Sequence, residues 1–260
     1  MRKPGNGGKA DDAAPAGASR SRDIFDRALP KRFYKSAAAA GRGTGFAVEL
    51  DGRLVRTPGK LPLEVPTLAL AEALAAEWAA QGAVIDPATM PLTRIVNSAI
   101  DAVTPRHGEV LADIAAYAAS DLLCYRAEAP RELVQRQHER WDPVLDWAAS
   151  RLHHSFAVGQ GVMPLRQPKA AVAALSEAIG SLPPIALAAL HVMTTLTGSA
   201  LLAFAHAEGR LTAREAWAAA HVDEDWQISQ WGEDAEAGAK RVRRWDEMAA
   251  ASRVLELLAG

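Results

Sequence analysis

The chain carries one cysteine and no surplus of either charge. Cys124, alone, excludes an intramolecular disulfide and any metal or iron–sulfur centre built from several thiolates, and such usage suits a reducing compartment, so a cytoplasmic location is expected. Lys and Arg total 29 against 31 Asp and Glu, a formal net charge of −2. The clustered cations that phosphate binding demands are therefore missing, and a nucleic-acid partner is not expected. Large apolar residues are also missing near the N-terminus: after Met1 the next is Ile24. A secretory leader needs an apolar stretch there, so residues 1–22 read as a disordered tail with nothing to bury.

Catalytic motifs are equally scarce. The stretch 52–60 ends in Gly-Lys like a phosphate loop, but its glycines are too far apart, and Leu61 stands where a magnesium-binding hydroxyl belongs. Gly41-Arg-Gly-Thr-Gly45 has its third glycine one place early for a dinucleotide fingerprint, and a hairpin strand follows it rather than a helix. No Gly-x-Ser-x-Gly elbow is present. The seven histidines form no His-Glu-x-x-His pattern, and the adjacent pair His153-His154 would diverge by about 100° on a helix. Cys124 sits in an apolar run, which favours an inert thiol. No cofactor and no metal are expected.

What is present is a globular chain of 260 residues, 49% hydrophobic, long enough for a substantial core. Strand signals come first. Residues 31–35 could open a strand, and Gly45–Leu50 and 53–57 alternate on either side of Asp51-Gly52, a strong hairpin turn. Pro58-Gly59 ends that strand, and 61–65 alternates again with Pro62 marking an edge. Helical spacing then takes over: 67–80, about 91–103, 104–119 opening on Thr104-Pro105, 131–152 with a break or kink at Pro143, and four more near 168–179, 184–206, 212–230 and 234–258. Thr212 and Glu215 form a capping box at the start of the third of these four. Residues 122–125 read as a short strand or an extended crossing, and 156–163 as a short strand or a loop. The fold class is α+β: a small antiparallel β-rich N-terminal domain over 23–66, then a larger, mostly helical domain over 67–260.

Residues 178–207 contain no Asp, Glu, Lys or Arg. A run of about 18 or more apolar residues is a membrane-span candidate. Here Pro183-Pro184, His191, three threonines and Gly198-Ser199 interrupt it, and a helix apolar all round also suits the centre of a helical domain. A buried central helix is expected, without stable membrane insertion.

The most informative stretch is His221 to Asp234. On one continuous helix, Glu224 shares its face with Trp217, Ala220, Ile228 and Trp231, all apolar, while Asp223 and Asp225 turn away by about 100°. A carboxylate in an apolar stripe is costly unless answered. Glu224 must pair with a buried cation, cap a backbone group, or face a groove that a partner fills.

This stretch, Asp223-Glu224-Asp225-Trp226-Gln227 with Trp231-Gly-Glu-Asp234, resembles the C-terminal signature of the assembly chaperones for the α subunit of ATP synthase, which act in mitochondria and have relatives in α-proteobacteria. Other segments resemble the family in the same order. They are Arg32-Phe-Tyr-Lys35, Leu50-Asp-Gly-Arg53 with Thr57-Pro58, Glu77-Trp78-Ala-Ala-Gln81 and Met90-Pro-Leu-Thr93, then Asp121-Leu-Leu-Cys-Tyr-Arg126, Gln137 with Trp141-Asp-Pro143, and Thr197-Gly-Ser-Ala200. The similarity spans about residues 31 to 245. It implies a β-rich N-terminal and a helical C-terminal part. It also implies a non-enzymatic role: transient binding of the unassembled α subunit, by a monomer, until β arrives. The family's important acidic residue corresponds to Glu224, with Asp223 and Asp225 where glutamates are common. Gln227, Trp231 and Glu233 complete the implied partner-binding set. The Trp-Gly-Glu-Asp ending resembles the bacterial members, and the His-Asp pair that mitochondrial members often carry further on is absent. Two other readings of the residues remain: a hydrolase or transferase with a carboxylate site at Glu224 completed by Asp121 or Arg94, and an assembly factor anchored in a membrane through 185–205.

Overall fold

The computed structural model describes residues 29–161 and 163–259. The expected tail, 1–22, lies outside the described residues, as do 23–28. Four strands open the fold: β1 (Ala37–Arg42), β2 (Gly45–Leu50), β3 (Arg53–Leu54) and β4 (Glu64–Val65). β2 is the centre of this sheet. It pairs antiparallel with β1, Ala37 opposite Leu50, and on its other side with β3 and then β4, Phe46 opposite Val65. The Asp51-Gly52 turn forms as expected, with φ of 48° and 77°. The Asp51 carboxylate accepts from the backbone N–H groups of Lys35 and Ser36, which ties the incoming chain to the hairpin. That tie explains why 31–35 is not a strand. Apart from one bridge, Lys31 to Val84, this segment spends its polar groups on the turn and on residues 78–83.

Ten helices follow among the described residues: α1 (Leu68–Ala79), α2 (Pro91–Ser98), α3 (His107–Ala119), α4 (Arg131–Leu152), α5 (Lys169–Gly180), α6 (Pro184–Thr197), α7 (Ala200–Ala207), α8 (Ala213–Ala220), α9 (Val222–Trp231) and α10 (Ala235–Ala259). A two-stranded parallel pair, β5 (Tyr125–Arg126) and β6 (Gly159–Gln160), brackets α4. The α+β architecture is as the sequence reading has it. The inner face of the sheet (Val48, Leu50, Val65) and the helices share one continuous buried cluster that reaches from Tyr34 to Leu257.

Several boundaries differ from the sequence expectations, each for a tertiary reason. α2 ends at Ser98 and passes through a π turn, Ala99–Val103, and a 3-10 turn, Thr104–Arg106, before α3. Leu122–Cys124 is a 3-10 turn rather than a strand. Pro143 does not break α4, because the buried face of Leu133, Gln137, Trp141, Val144, Leu145 and Ala148 runs straight past it. The uncharged run splits at Gly198, whose φ of 67° ends α6 and which glycine adopts without a Cβ penalty. Ser199 then caps α7, accepting from Leu202 N–H at 3.0 Å. α6 is buried as expected, on nearly all sides. No helix among the described residues is long and apolar enough to cross a membrane. The expected helix 212–230 is two, α8 and α9, parted at His221. The capping box of Thr212 and Glu215 is in place.

Two carboxylates, Glu77 half-buried and Asp121 fully buried, lock these elements together. Glu77 on α1 accepts from Leu92 N–H and Thr93 N–H, both at 2.8 Å, and from the Thr93 hydroxyl at 2.7 Å. It thus supplies the cap that Met90 does not, at the positive end of α2. Burial pushes its pKa up, against those hydrogen bonds. Asp121, fully buried, accepts from Ser199 Oγ at 2.7 Å, Leu201 N–H at 3.0 Å and Leu123 N–H at 3.1 Å, joining the start of α7 to the 122–124 turn. Burial raises its pKa to about 6.

Candidate functional site

The break at His221 decides the geometry around Glu224. The imidazole stays buried because its Nδ1–H donates to Trp217 O at 2.7 Å and its ring stacks on Trp217, with centroids 3.9 Å apart. Burial lowers its pKa. The chain then starts a new helix, and the stripe from Trp217 to Trp231 is not continuous. Trp217 is in the core and Trp231 is 76% exposed. Glu224 therefore does not sit buried in an apolar face. Its side chain is 39% exposed in the first turn of α9, and the one basic side chain within 4 Å of it among the described residues is the imidazole of His221, whose Nε2 lies at 3.7 Å. Of the three options, neither a buried Arg or Lys partner nor a backbone cap is present among the described residues. Glu224 faces a groove.

Its neighbours have other tasks. Asp223 accepts from Gln137 Nε2 at 2.7 Å. Gln137 is buried in α4 and also accepts from Ala127 N–H, so Asp223 pins α9 to the body. Asp225 forms an ion pair with Arg241 of α10. Both acidic neighbours hold α9 in place rather than standing free in solvent, and sequence spacing could not have identified Gln137 or Arg241 as their partners. Gln227 and Glu233 are exposed. Asp234 caps α10, accepting from Ala237 N–H at 2.8 Å.

Glu224, Gln227, Ile228, Trp231, Glu233 and Arg241 line a groove of about 240 Å³ between α9 and α10. A second hollow, of about 280 Å³, adjoins it through Glu233, Gly238 and Arg241 and is walled by Trp217, Val242 and Trp245. A Cβ at Gly238 would come within 2.8 Å of the Glu233 carboxylate, which would have to swing aside. The predicted residues Glu224, Gln227, Trp231 and Glu233 thus come together on one surface, whereas Asp223 and Asp225 serve behind it. Sequence reasoning missed Val242, 61% exposed within the cationic run Lys240–Arg244; its signal was a lone apolar residue among charges. Trp231 stands edge-on to Trp226, with centroids 5.7 Å apart, which holds the exposed ring in a defined orientation.

The arrangement suits recognition of a protein surface: an exposed aromatic anchor, an exposed valine and several carboxylates around a shallow hollow. Asp121 and Arg94, suggested as partners of Glu224 in an enzyme, line neither hollow. Asp121 is fully bonded in the core and Arg94 pairs with Glu247 at 3.3 Å. Among the described residues there is no cluster of His, Cys, Asp and Glu able to hold a metal ion.

Known proteins share this design. Residues 31–149 match the family described as ATP12 chaperone protein. The crystal structure of Atp12 from Paracoccus denitrificans is 44% identical, with a TM-score of 0.84 over 88% of this chain and 98% of that one. A crystal structure from Agrobacterium tumefaciens, described as that of a chaperone candidate, is 50% identical, with a TM-score of 0.86 over 95% of this chain and 92% of that one. The mitochondrial protein atp12 of Schizosaccharomyces pombe is 25% identical over 216 residues, 78% of this chain and 74% of its own length. With identity of this level along nearly the whole described fold, the chain belongs to the ATP12 chaperone family.

Proposed function

We propose that this protein is an assembly chaperone of ATP synthase that binds the unassembled α subunit of the catalytic sector and keeps it from aggregating until β replaces it. Family membership supports the chaperone role. The observation that carries the binding surface is Trp231, 76% exposed at the rim of a groove that also holds a half-exposed, weakly partnered Glu224. A subunit lacking its neighbour exposes interface that is apolar with polar points. The exposed Trp231 and Val242 cover apolar area, and Glu224 and Glu233 answer cations. Such a contact is transient, of about the standard 1,600 Å² or less, so that β can displace it. No nucleotide hydrolysis is involved. A reducing cytoplasm suits Cys124, whose thiol is pushed up to about 12 by burial and is inert. The sheet and the helices share one buried cluster, and in this reading the helical part presents the surface.

The test is co-expression with the cognate α subunit in the absence of β, followed by size-exclusion chromatography with light scattering. A soluble one-to-one complex that β disperses is expected. Glu224→Lys should abolish it while circular dichroism and thermal melting stay as in the wild type. Equal aggregation of the α subunit with and without this chain would overturn the proposal, and unfolding of the Glu224→Lys protein would assign Glu224 to the fold instead.

A further inference from the structure

The two hollows beside α9 make one groove, and its form says which kind of segment it can hold. The first hollow is faced by Gln227, Ile228 and Trp231 of α9, the second by Trp217 of α8 with Val242 and Trp245 of α10. Gly238 and Arg241 of α10 belong to both. From Gly238 to Val242 is a step of about 6 Å along the helix axis, close to one turn. The waist between the hollows is low because Gly238 carries no side chain, and only the Glu233 carboxylate lies over it.

Every lining residue belongs to α8, α9, α10 or the connector 232–234, so no strand edge borders the groove. Helical walls spend their backbone groups in their own turns. An extended segment laid between them would leave its N–H and C=O groups against indole and aliphatic surface, at a cost of about 1–3 kcal/mol for each group left unmet. A helix brings its hydrogen bonds with it and presents side chains three or four residues apart on one face. The charges add a second requirement. Arg241 is answered by Asp225, and the Arg214 guanidinium lies over the Trp245 ring, 5.0 Å from its centroid. Glu224 has only His221 within 4 Å, and Glu233 forms no ion pair among the described residues. The unanswered charge of the groove is therefore negative and gathers at the Trp231 end.

We infer that the groove takes an amphipathic helix of the partner subunit. Apolar side chains three or four residues apart enter the two hollows, and a Lys or Arg of the same helix meets Glu224 or Glu233. This deepens the proposed function and rests on it.

The test uses the complex with the α subunit, formed without β. The photo-crosslinker p-benzoylphenylalanine is placed at Gln227, in the first hollow, and separately at Val242, in the second. If either variant no longer holds the α subunit, the crosslinker moves to the neighbouring exposed positions Gln230 or Ala239. Mass spectrometry identifies the captured residues. The residue captured from the first hollow and the one captured from the second should lie three, four or seven apart in one segment. A separation of two, as an extended segment gives, any other separation, or capture in separate segments overturns the inference. Gly238→Leu, which fills the waist, should lower recovery of soluble complex about tenfold, with a melting temperature no lower than the wild type because glycine is the poorer helix former. Undiminished recovery overturns the inference as well, and the crosslinking alone decides if that variant melts early. Failure of the wild-type chain to hold the α subunit at all is a different result: it overturns the proposed function, and this inference with it.

Discussion

Replacing Asp121 by alanine tests the reading that a single buried carboxylate joins α7 to the 122–124 turn. The change removes the acceptor of Leu201 N–H, Leu123 N–H and the Ser199 hydroxyl, all in the interior. Two orphaned backbone donors cost about 1–3 kcal/mol each. Against this, the charged carboxylate is itself disfavoured by burial. Its pKa, raised from 3.8 to about 6, corresponds to about 3 kcal/mol between its two protonation states. Near pH 7.5, where the group is ionised, the net loss is expected to be about 2 kcal/mol. The pH dependence separates the two contributions. A carboxyl whose folded pKa lies above its unfolded value takes up its proton more readily in the folded state. Its contribution is therefore fully present below about 3.8 and is lost as pH rises through about 6. The alanine variant lacks this gain. The gap between wild type and variant should accordingly widen by about 1 kcal/mol between pH 7.5 and pH 5. Urea denaturation at the two pH values, with equal slopes, measures it. A gap that stays constant or narrows at pH 5 would refute the raised pKa. A variant as stable as the wild type at both would refute the anchoring itself.

Other consequences follow from the same contacts. Glu77→Ala leaves Leu92 N–H and Thr93 N–H uncapped at the start of α2, a loss of about 2 kcal/mol, seen as a melting temperature lower by about 6 °C; an unchanged melting curve would show that water caps α2 equally well. Asp223→Ala strands the buried Gln137 amide and should lower stability by about 1–2 kcal/mol in urea titration, with amide hydrogen exchange in α9 faster than in α4. Trp231→Ala, at an exposed ring, should leave the melting temperature nearly unchanged and weaken α-subunit binding by about 2 kcal/mol or more in calorimetry; a stability loss without a binding loss would remove Trp231 from the interface.

The candidate site was half legible in the residues. Glu224 and Trp231 stand out from their spacing, while Gln227 and Glu233 came only from the family resemblance; the structure brings all four to one groove. The burial of Glu224 was misjudged for a definite reason. Helical spacing carries a face forward only while the helix continues, and His221 ends α8 by turning its own ring onto Trp217. The roles of Asp223 and Asp225 were hidden for another: Gln137 lies 86 positions away, and no local rule announces a contact at that distance.

Short-range chemistry is enough to set the Asp51-Gly52 hairpin, the Thr212–Glu215 box and the existence of most helices, because each depends on groups within a few residues of one another. The split of the uncharged run into α6 and α7 is different. Gly198 permits the break, but Asp121, reaching in from another part of the chain, makes it stable by satisfying the donors that the break exposes. In the same way Glu77 decides where α2 begins and the packed face of α4 overrides Pro143. Helix ends and turns leave polar groups that must find partners in the interior. Where those partners are distant in sequence, only the assembled core determines which ends are stable, and hence which side chains remain on the surface to meet another protein.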